Sequence, residues 1–232
     1  MRFFCLTLFP EMIYGALNHS MLKRASDNGI IEINCINIRD FSKSKHRQTD
    51  DYPYGGGAGM IMMAPPVYDA YQSIKDTLAA NSKVLYMTPQ GKPFNQKTAE
   101  ILSREKDIVI LCGHYEGVDE RIVEEIVTDE VSLGDFVLTG GEIGAIAVID
   151  AVSRLIPGVL SGEESYKNES FANNLLEYPQ YTRPPEFLGR KVPEVLLSGH
   201  HENIRKWRLE KSIERTRKRR PDILNAGGNY DI

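Results

Sequence analysis

Apolar residues alternate with polar ones, or run unbroken, over Arg2 to Phe9, Ile30 to Ile38, Lys83 to Met87, Asp107 to Cys112 and Glu130 to Leu133. Short runs of this kind, rich in Ile, Val and Leu, predict strands. Between them the spacing lengthens to that of helices: Pro10 to Asp27, closed by Asn28-Gly29, then Pro65 to Ala80, Asn95 to Arg104 and Asp119 to Ile126. Glycine-rich residues 134 to 141 lead into the most apolar helix, Ile143 to Ile156. Strands alternating with helices predict an α/β fold: a parallel sheet with helices on both faces. Arg39 to Tyr54 is polar and charged and reads as a mobile loop running into the glycine stretch Tyr54 to Met60.

After Pro157-Gly158 the texture changes. Residues 161 to 174 are rich in Ser, Glu and Asn and lack periodicity, as a flexible linker does. Residues 178 to 195 are extended and punctuated by proline. From Ser198-Gly199 the chain turns helical, with Ile204, Trp207 and Ile213 in an apolar stripe amid charges. The expected organisation is an α/β domain over 1 to 160, a linker over 161 to 174 and a small helical domain over 175 to 232.

Charge sharpens that division. Residues 201 to 220 hold nine Lys or Arg against three Glu, a net +6, which leaves −10 on the rest of a chain whose total is −4. A basic helical end on an acidic body suits a polyanionic partner, and a solvated surface helix would show the same pattern. No apolar run approaches a membrane span, because Asp150, Ser153 and Arg154 interrupt the longest. The N-terminus reads as a first strand, not a signal peptide. Cys5, Cys35 and Cys112 are widely spaced inside apolar runs, as expected of buried thiols in a reducing cytoplasm, and carry no metal spacing.

Three strand ends run into turn-forming loops: Thr88 to Gly91, Gly113 to Gly117 and Gly134 to Gly141. In open parallel sheets ligands bind beyond the carboxyl ends of strands, and glycine lets backbone groups approach them. A turn alone explains any one of these loops; three on successive strands favour a site. They are rich in backbone and apolar groups and poor in cations, which suits an adenine with a neutral or zwitterionic tail better than a polyphosphate. Glu116 could accept from a ribose diol or an amino group. The familiar motifs fail. The glycines of 55 to 59 follow a charged loop instead of a strand, and Gly91-Lys92 has Tyr86 where a P-loop needs its first glycine. Arg205 stands where a zinc-protease helix needs its second histidine, and no Gly-x-Ser-x-Gly occurs. Arg154 is either an arginine snorkelling from a helix end or a cation aimed at developing negative charge. Glu163, Glu164 and Glu169 are either solvated linker residues or candidates for a general base.

Longer motifs now add up. FPEM at 9 to 12, YGGGAGMIMM at 54 to 63, LCGHYEGVDERI at 111 to 122 and LGDFVLTGGE at 133 to 142 fit one family. So do RLIPGVL at 154 to 160, PQYTRP at 179 to 184, VPEVLLSG at 192 to 199 and RTRKRRPDIL at 215 to 224. Together they resemble, nearly end to end, the TrmD family of bacterial tRNA (guanine-N1)-methyltransferases in the SPOUT superfamily. The resemblance implies a deep trefoil knot, against the rule that chains do not thread loops. It implies S-adenosylmethionine held bent by Tyr86, Met87, Thr88 and Pro89; by Gly113, Tyr115 and Glu116; and by Ser132, Leu133, Gly134, Asp135, Phe136, Val137, Leu138, Gly140 and Gly141. It further implies an obligate homodimer with sites built from both chains, and tRNA as partner. The target would be guanosine 37, next to the anticodon, in tRNAs with a guanosine before it, a modification that guards the reading frame. Magnesium dependence is implied too, with no residues to assign.

In that family's chemistry a base removes the guanine N1 proton and the charge spreads to O6. Arg154 matches the family's catalytic arginine, and residues 54 to 60 would pack near guanine and donor. The family's base is an aspartate; the matching residue here is Glu169. The extra methylene moves the oxygen by about 1 Å, a shift that costs roughly 10²-fold in rate unless the linker absorbs it. A ribose 2′-O-methyltransferase of the same superfamily would share the knot but needs no carboxylate against an N1 proton. A non-catalytic RNA-binding protein would use the basic helix alone.

Overall fold

A computed structural model describes residues 1–160, 162 and 169–225, so the candidates Glu163 and Glu164 lie outside the described residues. The chain divides into two compact units, Met1–Ser161 and Gly162–Ile232.

The first unit is an α/β fold around five parallel strands. They are β1 (Arg2–Thr7), β2 (Glu32–Asn37), β5 (Lys83–Pro93), β6 (Asp107–Cys112) and β7 (Asp129–Ser132), in the spatial order β2-β1-β6-β5-β7. Central strand β6 is buried along its whole length, as a strand covered on both faces must be. Alternate residues feed two cores. Phe3, Cys5, Leu85, Met87, Ile108 and Ile110 pack with α1 (Pro10–Leu17), α4 (Gln96–Leu102) and α6 (Glu142–Ser153). Phe4, Leu6, Val84, Tyr86, Val109 and Leu111 pack with α3 (Ala64–Lys75) and α5 (Glu120–Ile126). Cys5 and Cys112 are buried, while Cys35 on the outer strand is half-buried.

Local details depart from the sequence expectation where polar residues interrupt a pattern. The single helix expected over 10 to 27 is two, because Asn18, His19 and Ser20 break it. Asn18 caps α1, His19 is extended, Ser20 has φ 51°, and α2 spans Ser20–Asp27. Strand β5 does not stop at Met87. It bulges and then pairs with β7 again through Lys92 and Pro93. Gly91 permits this, since a Cβ there would lie 2.3 Å from the Val131 nitrogen. Short strands β3 (Asp50–Asp51) and β4 (Ile61–Met62) pair antiparallel and close the base of the glycine loop, so the end of the stretch 39 to 54, expected to be a mobile loop, is paired.

The second unit carries the hairpin β8 (Glu186–Phe187) and β9 (Arg190–Lys191), then α7 (Glu194–Leu197), α8 (His201–Arg219) and α9 (Pro221–Asn225). Ser212, Ile213 and Thr216 form the buried face of α8. Thr216 Oγ1 accepts from the Leu176 amide at 2.8 Å, and Arg215 donates to the Glu177 carbonyl at 3.2 Å. Ile204 and Trp207 are only half-buried. Residues 169–174, assigned to the linker from sequence, hydrogen-bond within this unit: the Glu177 amide donates to Ser170 Oγ and the Phe171 amide to the Leu175 carbonyl.

At the amino-terminal end of central strand β6, away from the loops, Asp107 is fully buried. It accepts from Arg2 through both oxygens at 2.7 Å and from the Ala79 amide at 2.7 Å. These donors, the Arg2 side chain first, hold its pKa below the usual carboxylate value. Its stabilising effect is therefore present above the ordinary value, about 4, and fades as pH falls through the depressed one. Asp107→Asn should lower stability at neutral pH and flatten the acid limb of a denaturation series measured from pH 7 to 3.

Candidate functional site

Strands β6, β5 and β7 are neighbours, so their carboxyl ends bring the three loops together. They enclose a cavity of about 270 Å³. From β5 its wall takes Tyr86, Met87, Thr88, Pro89 and Gln90; from the loop after β6, Gly113, His114, Tyr115, Glu116 and Gly117. From β7 and the loop beyond come Val131, Ser132, Leu133, Phe136, Val137, Leu138, Thr139, Gly140 and Gly141, and from the first turn of α6, Gly144.

The backbone is tight here because the loops cross one another without side chains between them. A Cβ on Gly141 would stand 2.7 Å from Cys112 Cα, and one on Gly140 2.2 Å from His114 Nε2. The Gly141 amide donates to the Gly113 carbonyl at 2.9 Å, and His114 bridges Gly140. Tyr115 is left-handed at φ 58°, which turns its ring outward into the lining. The glycine loop of 54–60 leans on the same rim: Gly59, at φ 88°, would push a Cβ to 2.5 Å from Glu116 Cγ. Burial pushes the Tyr86 hydroxyl pKa up, so it stays a donor, and pushes the Cys112 thiol, on the opposite face of the sheet, well above its ordinary value.

Beneath the lining runs a buried polar chain. The Phe9 amide donates to Thr7 Oγ1 at 2.9 Å, and Thr7 donates to Glu142 Oε1 at 2.6 Å. Glu142 Oε2 lies 2.8 Å from His114 Nε2. Glu142 is 1 % exposed and opens α6, where the helix dipole favours negative charge. With Glu142 ionised, the tautomer that bonds carries its hydrogen on Nε2.

Most of the residues expected to hold a donor thus meet in one cavity. Gly134 and Asp135 do not line it. Gly134, at φ 146°, makes the turn that Ser132 Oγ closes with its amide and carbonyl, and Asp135 is exposed beyond it. Arg154 is not in the lining either. It caps the far end of α6, 12 residues or about 18 Å of helix from the cavity. Glu169 lies in the second unit, where it lines a separate cavity with Tyr178, His201, Arg205 and Arg208. Gln90, His114, Gly117, Val131, Thr139 and Gly144 were not singled out as binding residues. Of these, Gln90, His114, Gly117 and Thr139 carry a signal, since they belong to the three loops 88 to 91, 113 to 117 and 134 to 141.

Among the described residues, no Lys or Arg lines the cavity formed by the three loops. Its aromatic and aliphatic rim, glycine backbone and Glu116 suit an adenosine with a cationic or zwitterionic tail, so S-adenosylmethionine fits the groups present. Among the described residues no cluster of three or more His, Cys, Asp or Glu could hold a metal ion. No helix among them is long and apolar enough to cross a membrane.

Comparisons agree with this chemistry. A family model described as tRNA (Guanine-1)-methyltransferase TrmD matches residues 1–226. Proteins named tRNA (guanine-N(1)-)-methyltransferase are similar over nearly the full length. That of Ruminiclostridium cellulolyticum is 57% identical over 232 residues, covering 100% of both chains. That of Lachnospira eligens is 59% identical over 223 residues, 96% of this chain and 94% of its own. That of Clostridioides difficile is 57% identical over 224 residues, 96% and 97% respectively.

Two glycines test the crossing. Gly141→Ala sets a methyl against backbone, which cannot yield, and should cost about 2 kcal/mol of stability. Gly144→Ala meets only the Met87 methyl at 2.7 Å, the end of a flexible side chain, and adds a better helix former. It should stay within about 1 kcal/mol of the parent by urea denaturation.

Proposed function

The chain belongs to the tRNA (guanine-1)-methyltransferase TrmD family, and from that premise we propose that it methylates N1 of guanosine 37 in tRNA with S-adenosylmethionine as donor. The observation that carries the reading is the cation-free cavity formed by three glycine loops at the ends of β5, β6 and β7. The donor supplies an electrophilic methyl on a sulfonium, which a lining without Lys or Arg does not repel.

The residues of the chain do the rest. Guanine N1 carries a proton and is a poor nucleophile until it leaves. Glu169 accepts that proton, and the electron pair left on N1 spreads to O6. Arg154 faces O6 and lowers the energy of that charge. The new N1–CH3 bond forms as the S–CH3 bond breaks, and its electron pair stays on sulfur as a neutral thioether. The apolar rim, Phe136 to Leu138, excludes water from the reacting atoms. The guanine is unpaired or flipped to reach this depth.

Arg154 is a helix length from its own cavity, which supports a homodimer in which each arginine serves the site of the other copy. The close backbone crossings at Gly91 and Gly141 support a trefoil knot in the first unit. The second unit, with its basic helix, holds tRNA phosphates and makes affinity salt-dependent.

Tritiated methyl transfer to tRNA transcripts, with and without guanosine at position 37, tests the proposal. Transfer should require that guanosine, and mass spectrometry of the digested product should find 1-methylguanosine. A methylated ribose would instead make the protein a 2′-O-methyltransferase. Glu169→Gln should lower turnover by at least about 10²-fold while calorimetry finds donor binding unchanged; normal turnover would remove Glu169 from the mechanism.

A further inference from the structure

The second unit has a cavity that the methyl-transfer chemistry does not use. The proline-punctuated stretch 178–185 runs extended past α7 and α8, and between them lies a space of about 800 Å³. This is within the range of about 300–1,000 Å³ usual for small-molecule sites. Its floor is apolar, with Val192, Leu196 and Ile204. Its mouth is aromatic and cationic. The Arg208 guanidinium lies 4.7 Å from the centre of the Tyr178 ring. Tyr181 is 48% exposed and leans at 53° on Trp207, ring centres 6.4 Å apart. Arg183 completes the rim, and among the described residues no carboxylate lines the cavity.

We propose that this cavity is a pocket for an unpaired nucleobase of the RNA, other than the guanine that is methylated. An uncharged planar ring is matched by an exposed tyrosine face beside a flat guanidinium, the two surfaces on which splayed-out bases stack. The phosphates on either side of that base are matched by Arg183 and Arg208. An acidic peptide would use the arginines and leave the aromatic faces idle; a purely apolar partner would leave the arginines desolvated and unpaired.

Position gives the pocket its purpose. The neighbouring cavity, which holds Glu169, shares Tyr178, Ile204 and Arg208 with it, so the Tyr178–Arg208 stack is the partition between the two. A base anchored on one side of that partition fixes the strand against the other side, where the proposed proton acceptor sits. The pocket thus deepens the methyltransferase reading and rests on it for the identity of the RNA.

The test uses the full-length protein and anticodon stem-loop RNAs carrying 2-aminopurine at each unpaired position in turn. One position other than 37 should be quenched on binding. Tyr181→Ala should abolish that quench and weaken binding about tenfold, the scale of one lost base–aromatic stack. Tyr181→Phe should restore both. Arg208→Lys keeps the charge but loses the flat face, so the salt dependence of binding should be unchanged while affinity and quench fall. If no loop position shows a quench that depends on Tyr181 and Arg208, the pocket is refuted, even where methyl transfer is normal. It is equally refuted if Arg208→Lys binds as the parent does, or if these substitutions act by changing the oligomeric state in ultracentrifugation. A dependent quench in a protein that transfers no methyl group would support the pocket and overturn the enzymatic reading instead.

Discussion

A single buried carboxylate joins the parts of the first unit that make the donor cavity. Glu142 opens α6, accepts from Thr7 at the end of β1, and meets His114 in the loop after β6. Burying a carboxylate without partners would cost several kcal/mol, so these contacts are conditions for the fold and not additions to it. Each partner also depends on the others. Thr7 is oriented by the Phe9 amide, the Phe9 ring packs 4.8 Å from His114, and His114 fills the space that glycine leaves at 140. In a buried network of this kind, losing one member strands the rest in a medium that cannot solvate them. The floor of the cavity is therefore rigid, while its rim, with Val137 81% and Phe136 53% exposed, has few such constraints.

That rigidity defines what one chain can do alone. Helix α6 begins at the cavity and ends at Arg154, and a helix is too stiff to bring its two ends together. The distance between Arg154 and the cavity of its own chain is what supports the two-chain active site we propose. The same helix that seats Glu142 at one end carries the cation outward at the other, which makes α6 both a support and a spacer.

The parallel sheet was legible because its central strand is covered on both faces and so reads as an unbroken apolar run, Asp107 to Cys112, while the outer strand Glu32–Asn37 alternates. The loops were legible because glycine at a strand end has few other uses, and the rim residues came with them. What stayed hidden depends on long-range partners. Thr7 and Glu142 are 135 residues apart, and no local pattern links a threonine at a strand end to a glutamate at a helix start. The return of β5 through Gly91, Lys92 and Pro93 was invisible because glycine and proline argue against a strand. Only the spacing against β7 makes the pairing work there. Arg154 read as a charge inside an apolar helix, but it is the C-cap, where a cation also suits the helix dipole. Glu169 stood beside Glu163 and Glu164 as one of three linker carboxylates, and only the resemblance separated it from them.

Charge divides the labour of the two units. A cavity that must admit a sulfonium gains from having no cation in its wall, and an acidic body around it is no hindrance to such a ligand. The same acidity repels a polyanion at long range, within the Debye length of about 8 Å at physiological salt. A chain that must bring both ligands to one reaction therefore cannot use one surface for both. It segregates nine basic residues into residues 201 to 220 and leaves the donor site free of them. In the reading proposed here, phosphate capture belongs to α8 and the choice of base to uncharged contacts, since phosphates carry no sequence information. This is why stacked aromatic residues beside Arg208, and not further lysines, are what a discriminating RNA surface on this unit requires.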